Sequence, residues 1–132
     1  MKEKNKIKYA KIVELLANFS EDERLKVGCL IIKEGRIVST GYNGYLSGME
    51  HKPILVDGHN ISIVHAEINA LLFCAKIGIP TKDCDIFISA LPCNQCTKAI
   101  LTSGIKKIYY LKNYKNQDNI YLDKIEVEQV II

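Results

Sequence analysis

Two short runs hold the residues best suited to chemistry: His65-Ala66-Glu67 and Pro92-Cys93-Asn94-Gln95-Cys96. Cys93 and Cys96 are three apart, a spacing that puts both sulfurs on one face of the first turn of a helix. A helix N-terminus carries positive partial charge, which favours thiolate over thiol, and thiolate is the form that zinc binds. An imidazole opening a second helix can supply a third ligand. Three protein ligands leave the fourth tetrahedral position to water, as in catalytic zinc sites; a structural site is closed by a fourth side chain. Two thiolates and one neutral imidazole balance the charge of the ion, which still draws the pKa of its water toward about 7. Glu67, two residues past His65, is expected beside the ion, not on it, taking and returning protons. The expected centre is therefore one Zn2+ per chain on His65, Cys93 and Cys96, with Glu67 as the catalytic group.

Each half must be held by a stable element. The 132 residues suit one domain, 1–132, large enough for a core without disulfides, and 48% hydrophobic with 25% charged residues is an ordinary globular balance. Lys6 to Phe19 has apolar residues at helical spacing. Val27 to Lys33 and Arg36 to Tyr42, joined by Glu34-Gly35, predict an antiparallel hairpin, and an irregular stretch runs from Gly44 to about Ser62. A helix is expected from Val64, stopped by Gly78 and Pro80, then a buried strand over Cys84 to Ser89. Pro92 introduces a helix from Cys93 to about Ser103, with Gly104 as its stop. Ile105 to Leu111 and Lys124 to Ile132 predict two further strands around a polar stretch, Lys112 to about Asp123, with room for a short helix. This order implies an α/β fold: a three-layer α-β-α sandwich around a mixed five-stranded sheet, with strands parallel where a helix joins them.

Composition excludes several classes. A net charge of +3 tolerates a phosphorylated substrate but is too dispersed to imply nucleic acid. No apolar run approaches the length of a membrane span and no leader segment is visible, so a soluble, cytoplasmic protein is expected. Five cysteines, an odd number, argue against a disulfide framework; Cys29, Cys74 and Cys84 read as small buried apolar residues.

Alone, Cys-x-x-Cys is a common spacing and His-x-Glu a commoner one. Together, in this order, with Pro before the first cysteine, they match the signature of zinc-dependent nucleobase deaminases. From Ser20 to about Tyr114 the chain resembles the cytidine and deoxycytidylate deaminase superfamily, and within it the deoxycytidylate branch. The resemblance is carried by Val27-Gly28, Gly41-Tyr42-Asn43-Gly44 with Ser47-Gly48, His65-Ala66-Glu67-Ile68-Asn69-Ala70, the Pro92 to Cys96 run, and Gly104-Ile105-Lys106. Deaminases of free cytidine place Cys where this chain has His65.

That resemblance implies a cytidine deaminase-like fold and hydrolysis of dCMP to dUMP and ammonia. It implies that Asn43 bonds the sugar 3′-hydroxyl, that Gly44 lets the backbone approach, and that the Ala66 amide with a carbonyl among Ser89, Ala90 and Leu91 reads the pyrimidine edge. Asn43-Gly44 is equally a favoured turn pair. Arg24 and Lys26 are candidates for the phosphate, Arg by a bidentate contact and Lys as a point charge. Against this, Ser20 to Lys26 also reads as a solvated loop with a Ser20–Glu23 capping box. Lys98, Lys106 and Lys107 read as surface charges. The stretch before His65 lacks the extra cysteine ligands of relatives with a second zinc; His51 and His59 read as exposed. Partners implied are a small pyrimidine nucleotide, not nucleic acid or membrane, and a homo-oligomer, dimer or hexamer, with Tyr109, Tyr110 and Tyr114 as interface or strand residues. Rival readings are a deaminase of another nucleoside, base or tRNA adenosine, and a zinc module without turnover.

Overall fold

The structure, a computed structural model, describes residues 1–114 and 118–132. Helix α1 runs Glu3–Ala17, and strands β1 (Gly28–Lys33) and β2 (Arg36–Tyr42) form the expected hairpin. Glu34 and Gly35 both take positive φ, 51° and 76°, the conformation that a two-residue hairpin turn needs to match strand twist. After it come β3 (Gly44–Tyr45), β4 (Leu55–Val56), β5 (His59–Asn60) and β6 (Ile63–Val64), then α2 (Ala66–Ile77), β7 (Asp85–Ala90), α3 (Asn94–Thr102), β8 (Lys107–Lys112), a 3₁₀ turn Leu122–Lys124 and β9 (Glu126–Gln129).

The five long strands lie in the order β2-β1-β7-β8-β9. β1 is antiparallel to both neighbours, while β7–β8 and β8–β9 are parallel. The mixed five-stranded sheet is thus as expected. β2 and β7, joined through α2, are not hydrogen-bonded neighbours, because β1 lies between them. The last strand pairs in parallel although the described residues of its connection, 113–125, hold only the 3₁₀ turn; positions 115–117 of the polar stretch lie outside the described residues.

Alternation along the central strands divides the core in two. Cys29, Ile31, Ile86, Ile88 and Ile108 face α2 and α3, while Leu30, Ile32, Phe87, Tyr109 and Leu111 face α1. Cys29, Cys74 and Cys84 are fully buried, as read. Tyr109 is a core residue stacked on Phe87, with ring centroids 4.4 Å apart, so it is not an exposed interface candidate; Tyr114 is exposed. Lys107, expected to be a plain surface charge, bonds Glu128 at 3.0 Å, and Glu128 also takes Lys6 at 2.8 Å.

Three local departures have clear causes. α1 starts at Glu3, whose charge suits a helix N-terminus, and ends at Ala17, leaving Phe19 to pack on Tyr42. The span from Gly44 to Val64 is not simply irregular: Gly44 pairs with Val64 and Leu55 with Asn60, so Val64 belongs to a ladder and α2 begins later, at Ala66. Ser20 caps no helix; its hydroxyl accepts from Asp22 N, and Asp22 accepts from Arg24 N, two successive side-chain turns.

Candidate metal centre and catalytic cleft

His65 is the N-cap of α2 and Cys93 the N-cap of α3. Both helices start next to the carboxyl end of β7, where open α/β sheets place their ligands. α2 is seated on the sheet by two contacts from one face of β2. Ser39 Oγ donates to the Ala70 carbonyl at 2.8 Å, and Gly41 gives the helix room. The short β3–β6 ladder ends at Val64 and tethers the residue just before His65.

The result is a convergence of His65, Cys93 and Cys96, whose ligand atoms all lie within 4.8 Å of one another. His65 Nδ1 stands 3.2 Å from Cys96 Sγ and 3.8 Å from Cys93 Sγ. Tetrahedral zinc with ordinary Zn–S and Zn–N bonds holds N and S ligands roughly 3.5 Å apart. One imidazole nitrogen facing two sulfurs at these separations fits that ion. The electrostatics agree. Hydrogen bonds from Cys96 and from His65 bring Cys93 down to about 3, and the amide of Cys96 also points at its sulfur, at 3.4 Å. Cys96 moves the other way, because it hydrogen-bonds the Cys93 sulfur and is itself buried. Zinc takes both cysteines as thiolates, so its binding displaces the protons they hold.

Glu67 is the second residue of α2 and is 4% exposed. Burial pushes its carboxyl above the usual range, against the lowering effects of its own amide and of His65. It lines a cleft of about 400 Å³ together with His65, Ala66, Cys93, Ala90 and Leu91. Ala66 is the first residue of α2, so its N–H has no intrahelical acceptor. A buried carboxyl beside three converging metal ligands, in a cleft with room for a pyrimidine, can shuttle protons in a metal-assisted hydrolysis.

A model of the cytidine and deoxycytidylate deaminase zinc-binding region matches residues 3–112. The chain belongs to that family. Among its relatives, this deaminase is 35% identical over 131 residues to ComE operon protein 2 of Bacillus subtilis, covering 89% of this chain and 69% of the other. It is 31% identical over 114 residues to the Homo sapiens deoxycytidylate deaminase, covering 79% and 63%. Its structure superposes on the dCMP deaminase of cyanophage S-TIM5, solved in complex with dCMP and dUMP. That match has a TM-score of 0.88 and 37% identity, covering 98% of each chain.

The remaining expected site residues divide. Arg24 lines the cleft; Lys26 does not, and borders a separate groove beside α1. Of the three residues offered for a carbonyl, Ala90 and Leu91 line the cleft, while Ser89 borders the groove beside α1 and its hydroxyl accepts from Gly28 N at 2.9 Å. Gly44 is not among the lining residues, and a β-carbon there would meet only the Tyr42 ring at 3.9 Å. Asn43 lines the cleft and also serves as scaffold: Oδ1 accepts from Val27 N at 2.8 Å, and Nδ2 donates to Leu25 O at 2.7 Å and Asp22 Oδ2 at 3.1 Å, which leaves Oδ1 a second lone pair. Asp22, Asn60 and Asn113 line the cleft without having been singled out in the sequence. His51 and His59 are exposed, as read; His59 also lines the cleft, and His51 meets Glu21 at 3.1 Å while stacking on Tyr45. Asp22 alone had a signal, its place two residues before Arg24.

Proposed function

We propose that this chain hydrolyses dCMP to dUMP and ammonia, with His65, Cys93 and Cys96 holding zinc and Glu67 moving the protons. The observation that carries the reading is the convergence of one imidazole nitrogen and two sulfurs next to the buried Glu67 carboxyl. Similarity over 98% of the chain to an enzyme solved with dCMP and dUMP supports the substrate. Zinc, when bound, supplies Lewis-acid activation of water at neutral pH. The chain supplies the rest. Glu67 takes one proton from the attacking water and gives it to the pyrimidine ring nitrogen; it then takes the proton of the new C4 hydroxyl and gives it to the amino group, so that the C4–N bond breaks, the C4 carbonyl forms and ammonia leaves. Burial raises the proton affinity of Glu67 above that of an ordinary carboxyl, which suits a group that must hold a proton between the two transfers. The Ala66 amide, with the backbone at Ala90 and Leu91, reads the base edge. Arg24 at the cleft meets the phosphate, where a planar guanidinium bonds two oxygens at once. Asn43 and Asp22 hold the loop that carries Arg24.

The same reading takes residues 1–132 as one deaminase domain working in the cytoplasm as a homo-oligomer. All five cysteines are free, as suits a reducing compartment, and Leu72, Phe73 and Ile77 form an exposed apolar stripe on α2. Among the described residues no helix is long and apolar enough to cross a membrane. The test is ammonia release from dCMP, dCTP, deoxycytidine, guanine and a tRNA anticodon stem-loop. Turnover confined to dCMP is expected; ammonia from another substrate, with none from dCMP, overturns the reading.

A further inference from the structure

Asn119 lies in the connection between β8 and β9, yet its side chain bonds both flanks of the cysteine pair. Its Nδ2 donates to the Pro92 carbonyl at 2.8 Å and to Thr97 Oγ1 at 2.7 Å, and its Oδ1 accepts from Tyr121 N at 3.0 Å. Pro92 immediately precedes Cys93, and Thr97 immediately follows Cys96. Thr97 is 0% exposed, and its single hydroxyl proton goes to the Cys93 carbonyl at 2.8 Å. Oγ1 must therefore accept from Asn119. Turning the amide over would set an oxygen against the Pro92 oxygen with no proton between them, so the polarity is forced. Asn94 ties the same segment from the opposite side: its Oδ1 accepts from Ile120 N at 3.0 Å, and its Nδ2 donates to Asp118 O at 3.4 Å.

This clamp acts where the sulfurs are aimed. Cys93 is an N-cap and Cys96 sits in the first turn, so the angle at which the chain enters α3 sets both sulfur directions. Pro92 has no N–H with which to fix that entry, which leaves its carbonyl as the backbone handle. We infer that Asn119 is a positioning residue for the metal centre, holding the entry to α3 so that Cys93 and Cys96 meet the ion in one geometry. The inference rests on the assignment of His65, Cys93 and Cys96 as metal ligands. Asn119 acts on the ion only through Pro92 and the relay Asn119–Thr97–Cys93, as outer-shell hydrogen bonds do elsewhere.

The test uses the full chain loaded with Zn2+ or Co2+, and four variants. Asn119→Asp keeps the shape without the donors; Asn119→Ala removes the group; Thr97→Val keeps the shape without the hydroxyl; Thr97→Ser keeps the hydroxyl. The readouts are the zinc content, the rate of zinc transfer to a chromophoric chelator, the visible bands of the Co2+ form, and the thermal unfolding midpoint. Zinc transfer about 10–100-fold faster in Asn119→Asp and Thr97→Val is expected, with altered cobalt bands and restoration in Thr97→Ser. Variants that melt lower but transfer zinc at the unaltered rate with unaltered cobalt bands overturn the positioning role alone. An unaltered chain that holds no zinc overturns the ligand assignment, and this inference with it.

Discussion

Gly41 of β2 lies so close to Ala66 of α2 that a β-carbon on the glycine would stand 2.4 Å from the Ala66 carbonyl oxygen. The Ala70 amide, 2.8 Å away, closes the other side. Both neighbours are helix backbone, so neither can give way without moving α2, and with it His65 and Glu67. Gly41→Ala is expected to cost about 1–3 kcal/mol of stability and to weaken zinc retention. Urea unfolding and metal analysis measure the two effects. Gly44→Ala, with only a ring atom at 3.9 Å, is expected to match the unaltered chain in both.

Glu67→Gln keeps the volume and removes the proton carrier. Zinc content is expected to stay at one per chain while kcat falls by roughly 10²–10⁴ or more. Metal analysis beside an ammonia assay reads this directly, and a variant with normal turnover would rule out Glu67 as the shuttle.

Arg24 and Lys26 are close in sequence but separated by the fold, since only Arg24 reaches the cleft. Arg24→Ala is expected to raise KM for dCMP about 10–100-fold, as for loss of a charged hydrogen bond. Lys26→Ala is expected to leave it within about twofold. A KM effect from Lys26 larger than that from Arg24 would reverse the assignment.

Asn43 joins Val27, Leu25 and Asp22 around one buried amide. Asn43→Ala leaves those partners unpaired and is expected to lower unfolding free energy by about 1–3 kcal/mol even without substrate. Denaturant titration of the substrate-free protein distinguishes this scaffold role from a contact made only with the sugar.

Lys6, Glu128 and Lys107 give stability a pH dependence away from the cleft. Hydrogen bonds from Lys6 and Lys107 hold the Glu128 carboxyl below its ordinary range. A group lowered on folding stabilises above its unfolded pKa, and that stabilisation is lost as pH falls through the lowered folded value. The Glu128 bond raises Lys6, so its share is present at neutral pH and lost in strong alkali. Glu128→Gln is expected to melt below the unaltered chain at pH 7, with the gap closing in acid. Melting curves across pH check the sign; a gap that widens in acid contradicts it.

The sequence made some parts of this molecule legible because their causes are local. The positive-φ turn at Glu34-Gly35, the Gly78 stop, the apolar runs of β1 and β7, and the two helix starts bearing His65 and Cys93 follow from residues within a few positions of one another. The ligand set was legible through the resemblance, since His65 lies far along the chain from Cys93 and Cys96 and neither run decides it alone. What stayed hidden depends on residues far apart in the chain. Gly44 pairing with Val64 delays α2, Ser89 spends its hydroxyl on Gly28, and Asn119 reaches Pro92 across 27 positions. Asn43 read as a turn residue or a sugar contact because nothing beside it reveals that Val27, Leu25 and Asp22 surround it. Tyr109 read as either an interface or a strand residue because a strand pattern does not say which face a helix will cover.

The sheet's alternation has a consequence for how this protein can change over generations. The residues read as metal ligands and the Glu67 carboxyl sit at the starts of α2 and α3, while Leu30, Phe87 and Tyr109 pack with α1 behind a wall of backbone. Heat tolerance can therefore drift, or be engineered, through the rear layer with little effect on turnover. The front layer has no such freedom, because there a change in packing is also a change in chemistry.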